Sequence, residues 1–190
     1  MSAFPDLWLM RHGETVWNAE GRLQGAHDSP LTPRGQRQAD WQAALVAGLP
    51  GLHLASPQGR AVATARIVFP DGFTCDPALR EIGLGTAAGR LMADLERERP
   101  GLFGAGDLGW YDALPGGEGL AALETRMAGF LARLTGPVLI VSHGITLRMI
   151  WALVTGAGRS RLHEAPVDQG RVLALRGGVP QVLRHPEDCG

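Results

Sequence analysis

Two histidines with matching surroundings are the first residues in this sequence that could do chemistry. The short apolar run Leu7–Met10 predicts a buried strand, which is followed by an arginine and then His12. The β-branched run Pro137–Ser142 predicts a second buried strand, which leads directly into His143. Ligands of open α/β sheets bind beyond the carboxyl ends of the strands, and the glycine after each histidine allows a sharp turn there. We therefore expect both histidines to face one crevice, although one such histidine alone would more simply be structural.

Two arginines are placed to add positive charge beside these histidines. Arg11 precedes His12, and Arg60 lies at the start of a helix predicted over Gly59–Val68. Guanidinium groups bind phosphate oxygens bidentately, and a helix N-terminus adds partial positive charge. The pattern thus predicts a site for a dianionic phosphate, although Arg60 by itself would be interpreted as a solvated helix residue.

The composition narrows the ways in which this protein could handle phosphate. All 18 basic residues are arginine, which excludes Schiff-base lysines and the phosphate-binding lysines of P-loops and kinases. The net charge of −1 gives no bulk electrostatic reason to bind nucleic acid or an anionic membrane. Two cysteines, Cys75 and Cys189, allow neither a four-cysteine zinc site nor a disulfide framework. With no apolar run of membrane-spanning length and no signal-peptide pattern, we expect a cytoplasmic protein.

The apolar spacing alternates between strand-like and helix-like segments along the chain. With 190 residues, 45% of them hydrophobic, the sequence predicts a single domain over residues 1–190. The alternation predicts an α/β fold, a three-layer α/β/α sandwich with a mostly parallel central sheet flanked by helices on both faces. The remaining predicted elements are a helix from Pro33 to about Val46 with Thr32 as N-cap, a strand at Leu52–Ala55, helices at Arg90–Arg99, 120–134 and Ile145–Val154, and a hairpin of strands Arg171–Arg176 and Val179–Leu183.

A long loop is predicted from Pro100 to Gly119, where glycine and proline are frequent. Loops of this length inside a compact domain are usually functional or disordered. Trp110 and Tyr111 within the loop could cover a ligand, or they could pack onto the protein surface.

Six motifs in chain order resemble those of the histidine phosphatase superfamily, the phosphoglycerate-mutase-like proteins. The resemblance extends from about residue 7 to residue 148. The motifs are Arg11–Asn18 (RHGETVWN), Leu23–Gly25 with Asp28–Thr32 and Gly35, Ser56 with Arg60 and Thr64, Leu79–Ile82, Pro115–Glu118, and Val141–Gly144.

The resemblance implies a role for each matching residue. His12 would attack phosphorus and become a phosphohistidine, and Glu81 would act as general acid and then as general base. An ordinary solvated glutamate is the alternative interpretation of Glu81. The residues implied to surround the phosphoryl group or the substrate are Arg11, Asn18, Gln24, Gly25, Arg60, His143 and Gly144. The implied ligand is a small phosphomonoester, and no metal ion or other cofactor is implied.

Two segments depart from the superfamily pattern. Gly85–Gly89 stands where many phosphatases of this group have an aromatic-acidic-glycine stretch, so we expect a smaller and less charged pocket wall near Glu81. The glycine loop continues with Gly119 after Glu118, where a serine often stands.

Two other functions are compatible with the resemblance. A mutase, which moves phosphate between hydroxyl groups, needs extra cationic groups, and the glycolytic mutases carry an insertion after the acidic segment. Here Ile82–Gly89 contains no basic residue and no such insertion, which favours hydrolysis. A non-catalytic phospholigand-binding protein on the same fold is disfavoured because both histidines, both arginines and Glu81 are present. The sequence indicates neither the individual substrate nor the oligomeric state.

Overall fold

The computed structural model describes residues 4–104 and 108–188 and places six strands in one sheet. Four strands, in the sheet order β3-β2-β4-β1, are parallel, β5 is antiparallel to β1, and β6 is antiparallel to β5. The predicted mostly parallel sheet is therefore confirmed. Numbered in chain order, the strands are β1 (Leu7–Arg11), β2 (Leu52–Ala55), β3 (Thr74–Cys75), β4 (Val138–Ser142), β5 (Val172–Arg176) and β6 (Val179–Leu183).

Helices cover both faces of this sheet. Among the described residues, none of them is long and apolar enough to cross a membrane. Numbered in the same way, the α-helices are α1 (Val16–Ala19), α2 (Pro33–Val46), α3 (Gly59–Val68), α4 (Met92–Glu98), α5 (Leu120–Leu131) and α6 (Gly144–Thr155). Short 3-10 helices lie at Pro77–Leu79, Gly85–Ala87, Gly109–Ala113 and Arg159–Glu164.

The strands sort their side chains into two apolar layers, because successive residues of a strand point to opposite faces. On β1, Leu7 and Leu9 pack into a cluster that contains the apolar residues of α5 and α6. Trp8 and Met10 point to the other face, where they pack with α2 and α3. The sheet with a helical layer on each side is the predicted three-layer sandwich.

The start of α2 and the final hairpin follow directly from local chemistry. Thr32 is the N-cap of α2, its hydroxyl oxygen accepts the N–H of Gly35 at 3.0 Å, and Pro33 takes the first helical position, where no donor is lost. Between β5 and β6, Gly177 and Gly178 have φ of 58° and 80°, as the predicted tight turn requires. Both predictions are confirmed.

Other predicted boundaries are wrong because contacts distant in the sequence decide them. The helix predicted over Arg90–Arg99 is limited to Met92–Glu98, since the carbonyl of Arg90 accepts the N–H of Leu23 at 2.9 Å instead of continuing a helix. The loop predicted from Pro100 to Gly119 contains the 3-10 helix Gly109–Ala113, and its residues 105–107 lie outside the described ranges. Helix α1 and strand β3 are too short to produce a periodic pattern and were not predicted.

Two glycines let the turn after β1 lie directly against the start of α2. A Cβ atom on Gly13 would lie 2.2 Å from the carbonyl oxygen of Gly35, and a Cβ atom on Gly35 would lie 2.0 Å from the carbonyl oxygen of Glu14. Neither backbone can move away cheaply, because Thr32 caps α2 and donates its N–H to the Glu14 carbonyl at 2.9 Å. This close approach fixes the position of the turn that contains His12.

We expect Gly35→Ala to lower the free energy of unfolding by about 1–3 kcal/mol, because the new methyl group must displace a backbone carbonyl. Gly129→Ala is the matched control, since Gly129 lies on an exposed face of α5 with nothing near its Cβ position. That variant should be unchanged or more stable by about 0.5–1 kcal/mol, as alanine is the better helix former. Chemical denaturation measures both values, and equal stabilities would contradict the close-approach argument.

Candidate active site

The carboxyl ends of β1 and β4 bring the two predicted histidines together. Arg11 at the end of β1 is in register with Ser142 at the end of β4, and the N–H of His12 donates to the Ser142 carbonyl at 2.9 Å. The ring centroids of His12 and His143 lie 5.2 Å apart, and both side chains are buried. Adjacent parallel strands therefore place residues more than a hundred positions apart in contact.

His12 is held as a neutral imidazole with a defined orientation. Its Nδ1 lies 2.8 Å from the carbonyl of Gly13, which can only accept, so Nδ1 carries the proton. Nε2 consequently has the lone pair and accepts from Nε of Arg60 at 3.3 Å. Burial lowers the pKa of His12 well below its ordinary value, and the charges of Arg60 and Arg11 lower it further, against the opposing effect of the Gly13 hydrogen bond. The basic nitrogen therefore stays unprotonated beside two guanidinium groups.

His143 is held by Ser56, which follows β2. Its Nε2 lies 2.7 Å from the Ser56 hydroxyl oxygen, which also accepts the N–H of Gln58 at 3.3 Å. The Ser56 proton can then go to Nε2, which leaves the ring proton of a neutral imidazole on Nδ1. Nδ1 is buried and has no partner among the described residues. Burial, and then the charge of Arg60, lower the pKa of His143 well below its ordinary value.

Arg60 is a buried cation whose hydrogen-bonding capacity is fully used within the protein. Only 1% of its side chain is exposed, and a guanidinium group has five N–H donors. Burial lowers its pKa, which nearby carboxylates partly oppose. The five acceptors are His12 Nε2 at 3.3 Å, His27 O at 2.8 Å, Asp28 Oδ1 at 2.9 Å, Gly25 O at 2.9 Å and Gln58 Oε1 at 3.4 Å.

The N-terminus of α3 is occupied by a protein carboxylate. Asp28 accepts the N–H of Gly59 at 2.7 Å and the N–H of Arg60 at 3.2 Å. The sequence-based expectation that this helix end supplies positive charge to a phosphate is therefore wrong, because Asp28 neutralises it and also pairs with the Arg60 side chain. Arg60 acts on the site through its Nε–H, which donates to Nε2 of His12.

Arg11 is the cation whose guanidinium remains available. Its side chain lines the cavity and makes no hydrogen bond or ion pair within the described ranges, and its Nε is buried. The guanidinium lies against the start of α6, where a Cβ atom on Gly144 would be 3.5 Å from its Cζ. A buried donor without an acceptor is costly, so Arg11 is prepared for an anionic partner in the cavity.

Glu81 lies at the N-terminus of α6 and is held there by several donors. One carboxylate oxygen, Oε1, accepts from the N–H of Ile82 at 3.0 Å and from the N–H of Thr146 at 3.1 Å, while the Thr146 hydroxyl donates its single proton to the Arg80 carbonyl at 2.8 Å. Within the described ranges the other oxygen, Oε2, accepts one hydrogen bond, from the N–H of Ile145 at 3.2 Å. Glu81 is thus not the solvated residue of the alternative interpretation, and Oε2 is the less occupied of its two oxygens.

Asn18 and Gln24 line the same cavity through side-chain amides anchored to Thr15. Oδ1 of Asn18 accepts the N–H of Thr15 and the Nε2–H of Gln169, each at 3.1 Å, so the donor end of the Asn18 amide has no partner within the described ranges. Nε2 of Gln24 donates to the Thr15 hydroxyl at 2.8 Å, while its Oε1 is buried without a partner. Gly25, with φ of 54°, acts instead through its carbonyl, which holds Arg60.

These residues surround one cavity of about 530 Å³. Of the predicted site residues, all line it except His143, whose ring centroid lies 5.2 Å from that of His12. Sequence reasoning missed Gln169 and Arg148. Arg148 could have been found, because it is one helical turn after Gly144 on the same face of α6. Gln169, which donates to the carbonyl of His12 at 3.1 Å, gave no signal because only the fold brings it near.

The described residues contain no group of three or more histidine, cysteine, aspartate or glutamate side chains arranged to hold a metal ion. The cationic groups that the structure places at the cavity are guanidinium groups. Their planar forks of donors match the oxygens of a phosphoryl group.

A match to a family model shows to which protein family the chain belongs. The model described as "Histidine phosphatase superfamily (branch 1)" matches residues 7–183. The chain belongs to the histidine phosphatase superfamily. Its fold, and the prediction of an enzyme of this superfamily, are thereby confirmed.

Individual members of the superfamily resemble this chain over most of its length. "Probable phosphoglycerate mutase GpmB" from Enterobacter sp. (strain 638) is 38% identical in an alignment of 161 residues that covers 79% of this chain and 74% of that protein. The alpha-ribazole phosphatase from Shigella flexneri superposes with a TM-score of 0.80 at 33% identity, covering 94% of this chain and 95% of that one. A mycobacterial glucosyl-3-phosphoglycerate phosphatase, whose structure is a complex with VO3, gives a TM-score of 0.77 at 25% identity, covering 95% and 98% of the two chains.

The segments that depart from the superfamily pattern lie behind the cavity wall. Among the described residues, Leu84 lines the cavity but Gly85–Gly89 does not. Gly85 has φ of 51°, and a Cβ atom there would lie 2.1 Å from the carbonyl oxygen of Pro115. The glycine loop Pro115–Glu118 therefore packs against the back of the Leu84 segment and does not contact the ligand cavity.

Glu118 of this loop braces the chain on both sides of Glu81. It forms a bidentate ion pair with Arg126 of α5, with N–O distances of 2.7 and 2.8 Å, and accepts the N–H of Gly83 at 3.0 Å. Arg126 in turn donates to the carbonyl of Ala78 at 2.5 Å. Burial alone would raise the pKa of Glu118, but the hydrogen bonds from Arg126 and Gly83 outweigh it and lower the pKa overall.

We expect Glu118→Gln to lower the free energy of unfolding by about 1–2 kcal/mol at neutral pH, because a charge-assisted bidentate pair is lost. Since the pKa of Glu118 is lowered by folding, its contribution is present above its unfolded-state pKa and is lost as the pH falls through the folded-state value. The stability difference between the variant and the wild type should therefore shrink on acidification. Chemical denaturation of both proteins at several pH values measures this difference in the free energy of unfolding.

The control for Glu118→Gln is Glu98→Gln, which removes the carboxylate of the exposed ion pair between Arg90 and Glu98. An exposed pair contributes little, so this variant should match the wild type. Equal effects of the two substitutions would refute the bracing role of Glu118.

Proposed function

We propose that this protein hydrolyses phosphomonoesters without a metal ion, through a phosphohistidine formed on His12. The observation that carries the proposal is the state of His12, a neutral imidazole whose Nδ1 proton is bound to the Gly13 carbonyl and whose Nε2 lone pair faces the guanidinium of Arg60. An unprotonated nitrogen in a fixed orientation next to positive charge is what attack on a phosphate dianion requires. The lowered pKa of His12 keeps that nitrogen unprotonated at neutral and mildly acidic pH.

The donors without partners provide the phosphate site in this proposal. Arg11 offers its guanidinium, Asn18 offers its amide Nδ2, and His143 offers its Nδ1–H. When substrate binds, the Nε–H of Arg60 donates its hydrogen bond to a phosphoryl oxygen in place of Nε2 of His12, which frees that nitrogen to attack. Rotation of the Gln24 amide by 180° would let Oε1 accept the Thr15 hydroxyl and would turn the Nε2 donors to the ligand. Phosphoryl transfer depends mostly on such positioning and charge stabilisation.

The first step forms a bond between Nε2 of His12 and phosphorus as the bond from phosphorus to the ester oxygen breaks. Glu81 donates a proton to the departing oxygen, which leaves as a neutral alcohol. The proton is assigned to Oε2, because Oε1 accepts two backbone hydrogen bonds and Oε2 accepts one. Glu81 ends this step as a carboxylate supported by the amides of α6.

The second step returns the enzyme to its starting state. Glu81 takes a proton from a water molecule whose oxygen attacks phosphorus, and the bond between phosphorus and Nε2 breaks. Inorganic phosphate leaves, His12 regains its lone pair, and Glu81 is again protonated. The same carboxyl group serves both steps because both reacting oxygens lie on the side of phosphorus opposite to His12.

Replacement of the nucleophile tests this scheme directly. We expect His12→Asn to reduce phosphomonoester hydrolysis by at least about 10³-fold and to abolish transfer of radioactive phosphate from substrate to protein. In the wild type the label should be lost in acid and stable in alkali, as for a phosphoramidate. The control His185→Asn, which changes a histidine stacked on Trp41, should retain activity and labelling, and EDTA should not inhibit. Activity of His12→Asn at the wild-type level would eliminate the scheme.

A phosphoglycerate mutase is the second candidate, because the curated relatives carry that name and because Arg148 and Arg22 also line the cavity. Both arginines are engaged by the protein, however. Nη1 of Arg148, which has two N–H groups, lies 2.9 Å from each of three backbone carbonyl oxygens, and Arg22 donates to the Gly89 carbonyl and pairs with Glu20. A bisphosphate intermediate needs free cations to hold its second phosphate, so hydrolysis is favoured.

We expect 3-phosphoglycerate, supplied together with 2,3-bisphosphoglycerate, to release inorganic phosphate faster than it is converted to 2-phosphoglycerate. Phosphate release and isomer formation are measured in the same reaction, with a glycolytic mutase as the positive control for isomerisation. Isomerisation faster than phosphate release would assign the protein to the mutases.

A further inference from the structure

The cavity lining contains apolar side chains as well as the polar groups of the proposed phosphate site. Five of these apolar side chains are together called the apolar wall. None is required by the steps proposed above. The apolar wall consists of Leu23, Leu84, Met92, Leu108 and Trp110.

The apolar wall keeps hydrophobic surface accessible to a ligand. Met92 is 39% exposed, and Leu23, Leu108 and Trp110 are half-buried, although each is adjacent to a core that could have covered it. Large apolar side chains that line a concave surface typically contact ligands. The accessible surface of the wall is therefore best explained by the part of the substrate that leaves with the ester oxygen.

Trp110 is held in place by neighbouring rings. Its indole stacks on the ring of Tyr111 at 3.8 Å between centroids and 25° between planes, and it meets Phe103 edge-on at 4.9 Å. Tyr111 is buried, and its neighbour Asp112 accepts the N–H of Leu120 at 2.6 Å, which ties this turn to the start of α5. The sequence left open whether Trp110 covers a ligand or packs onto the protein surface. In the structure Trp110 packs on Phe103 and Tyr111 and also lines the cavity.

Leu23 and Met92 of the apolar wall are held by backbone pairing. The N–H of Leu23 donates to the Arg90 carbonyl at 2.9 Å, and the N–H of Met92 donates to the Gly21 carbonyl at 3.0 Å. Met92 and Trp110, which line the same cavity, are thus held in place by separate contacts, the first by backbone pairing and the second by neighbouring rings. A preformed apolar site of this kind binds a rigid group without the entropic cost of ordering its walls.

Charge around the cavity argues against a strongly anionic leaving group. Arg22 pairs with Glu20, Nη1 of Arg148 is hydrogen-bonded to backbone carbonyls, and Glu14 places a carboxylate on the cavity lining. The cavity volume of about 530 Å³ lies within the range of roughly 300–1,000 Å³ typical of sites that enclose whole organic molecules. A phosphoryl group with a three-carbon acid would leave the apolar wall uncovered.

We propose that the substrate is a phosphomonoester of an alcohol that carries a flat apolar group, such as an aromatic ring, which packs against Trp110 and Met92. This inference rests on the proposed hydrolase function and specifies its substrate class. Because the ring is remote from phosphorus, it contributes to binding equally before and during the reaction, and its loss should raise KM more than it lowers kcat.

The test compares 3-phenylpropyl phosphate with propyl phosphate, because their leaving alcohols are chemically alike and differ only in the ring. The hydrophobic free energy of burying an aromatic ring corresponds to an increase in kcat/KM of about 10- to 100-fold. We expect the wild type to show a kcat/KM for 3-phenylpropyl phosphate higher by that factor, mainly through KM. Equal values for the two substrates would overturn the inference.

Variants of the apolar wall test whether its side chains cause the preference for 3-phenylpropyl phosphate. Trp110→Ala and Met92→Ala should each lower kcat/KM for 3-phenylpropyl phosphate by about 3- to 30-fold and leave propyl phosphate within about twofold. Met92 is partly exposed, so its substitution keeps the test valid even if Trp110→Ala folds poorly. Trp41→Ala is the matched control, since Trp41 is paired with His185 and Glu187 and does not line the cavity. Equal losses for both substrates in the wall variants would refute the proposal.

Failure of the substrate class and failure of the hydrolase function give different results. Hydrolysis of propyl phosphate and of the phenylpropyl ester at equal rates, with phosphate still trapped on His12, refutes only the substrate class. If neither ester is hydrolysed and no label reaches His12, the hydrolase function itself fails. Calorimetric titration of His12→Asn with the two esters then decides the substrate class separately, because a tighter complex with the phenylpropyl ester supports it and equal affinities overturn it.

Discussion

The buried guanidinium of Arg60 is the constraint on which the site depends. A cation with 1% of its side chain exposed is tolerated only when its donors are satisfied, and here the loop that follows Leu23 supplies most of the acceptors. That loop can reach Arg60 because Gly25 adopts a positive φ and because Asp28 caps α3 at the same time. The cation therefore fixes a cavity wall, and burial together with its charge lowers the pKa of both histidines and keeps them neutral.

The two arginines consequently have different roles. Arg60 is a fixed charge built into the protein, while Arg11 retains its donors for a ligand. The same division holds for the acidic residues. Glu118 is consumed in bracing the chain, and Glu81 is presented at the cavity with one lightly used oxygen. Separating the groups that build the site from those that keep open donors or acceptors at the cavity lets the latter remain incompletely satisfied without loss of the fold.

Much of the architecture could be predicted because local patterns carry it. The apolar runs of β1 and β4 and the capped start of α2 need only short-range physics, and both histidines follow strand ends. The short β3 and the truncated α4 could not be predicted. Their boundaries are set by pairing with residues far along the chain, which competes with the local preference. The N-terminus of α3 was assigned to a phosphate for the same reason, since nothing local shows that Asp28 occupies it.

The sequence by itself identified the superfamily. Six ordered motifs, which include both histidines and both arginines, resemble those of the histidine phosphatase superfamily, and the family model over residues 7–183 confirms the resemblance. Only the tertiary structure decided which nitrogen of His12 is basic, that the guanidinium of Arg11 is open, and that Trp110 and Met92 line the same cavity. Tautomers, satisfied donors and cavity walls depend on distances between residues that are far apart in the chain. Such distances are set by sheet register and packing, which no local pattern encodes.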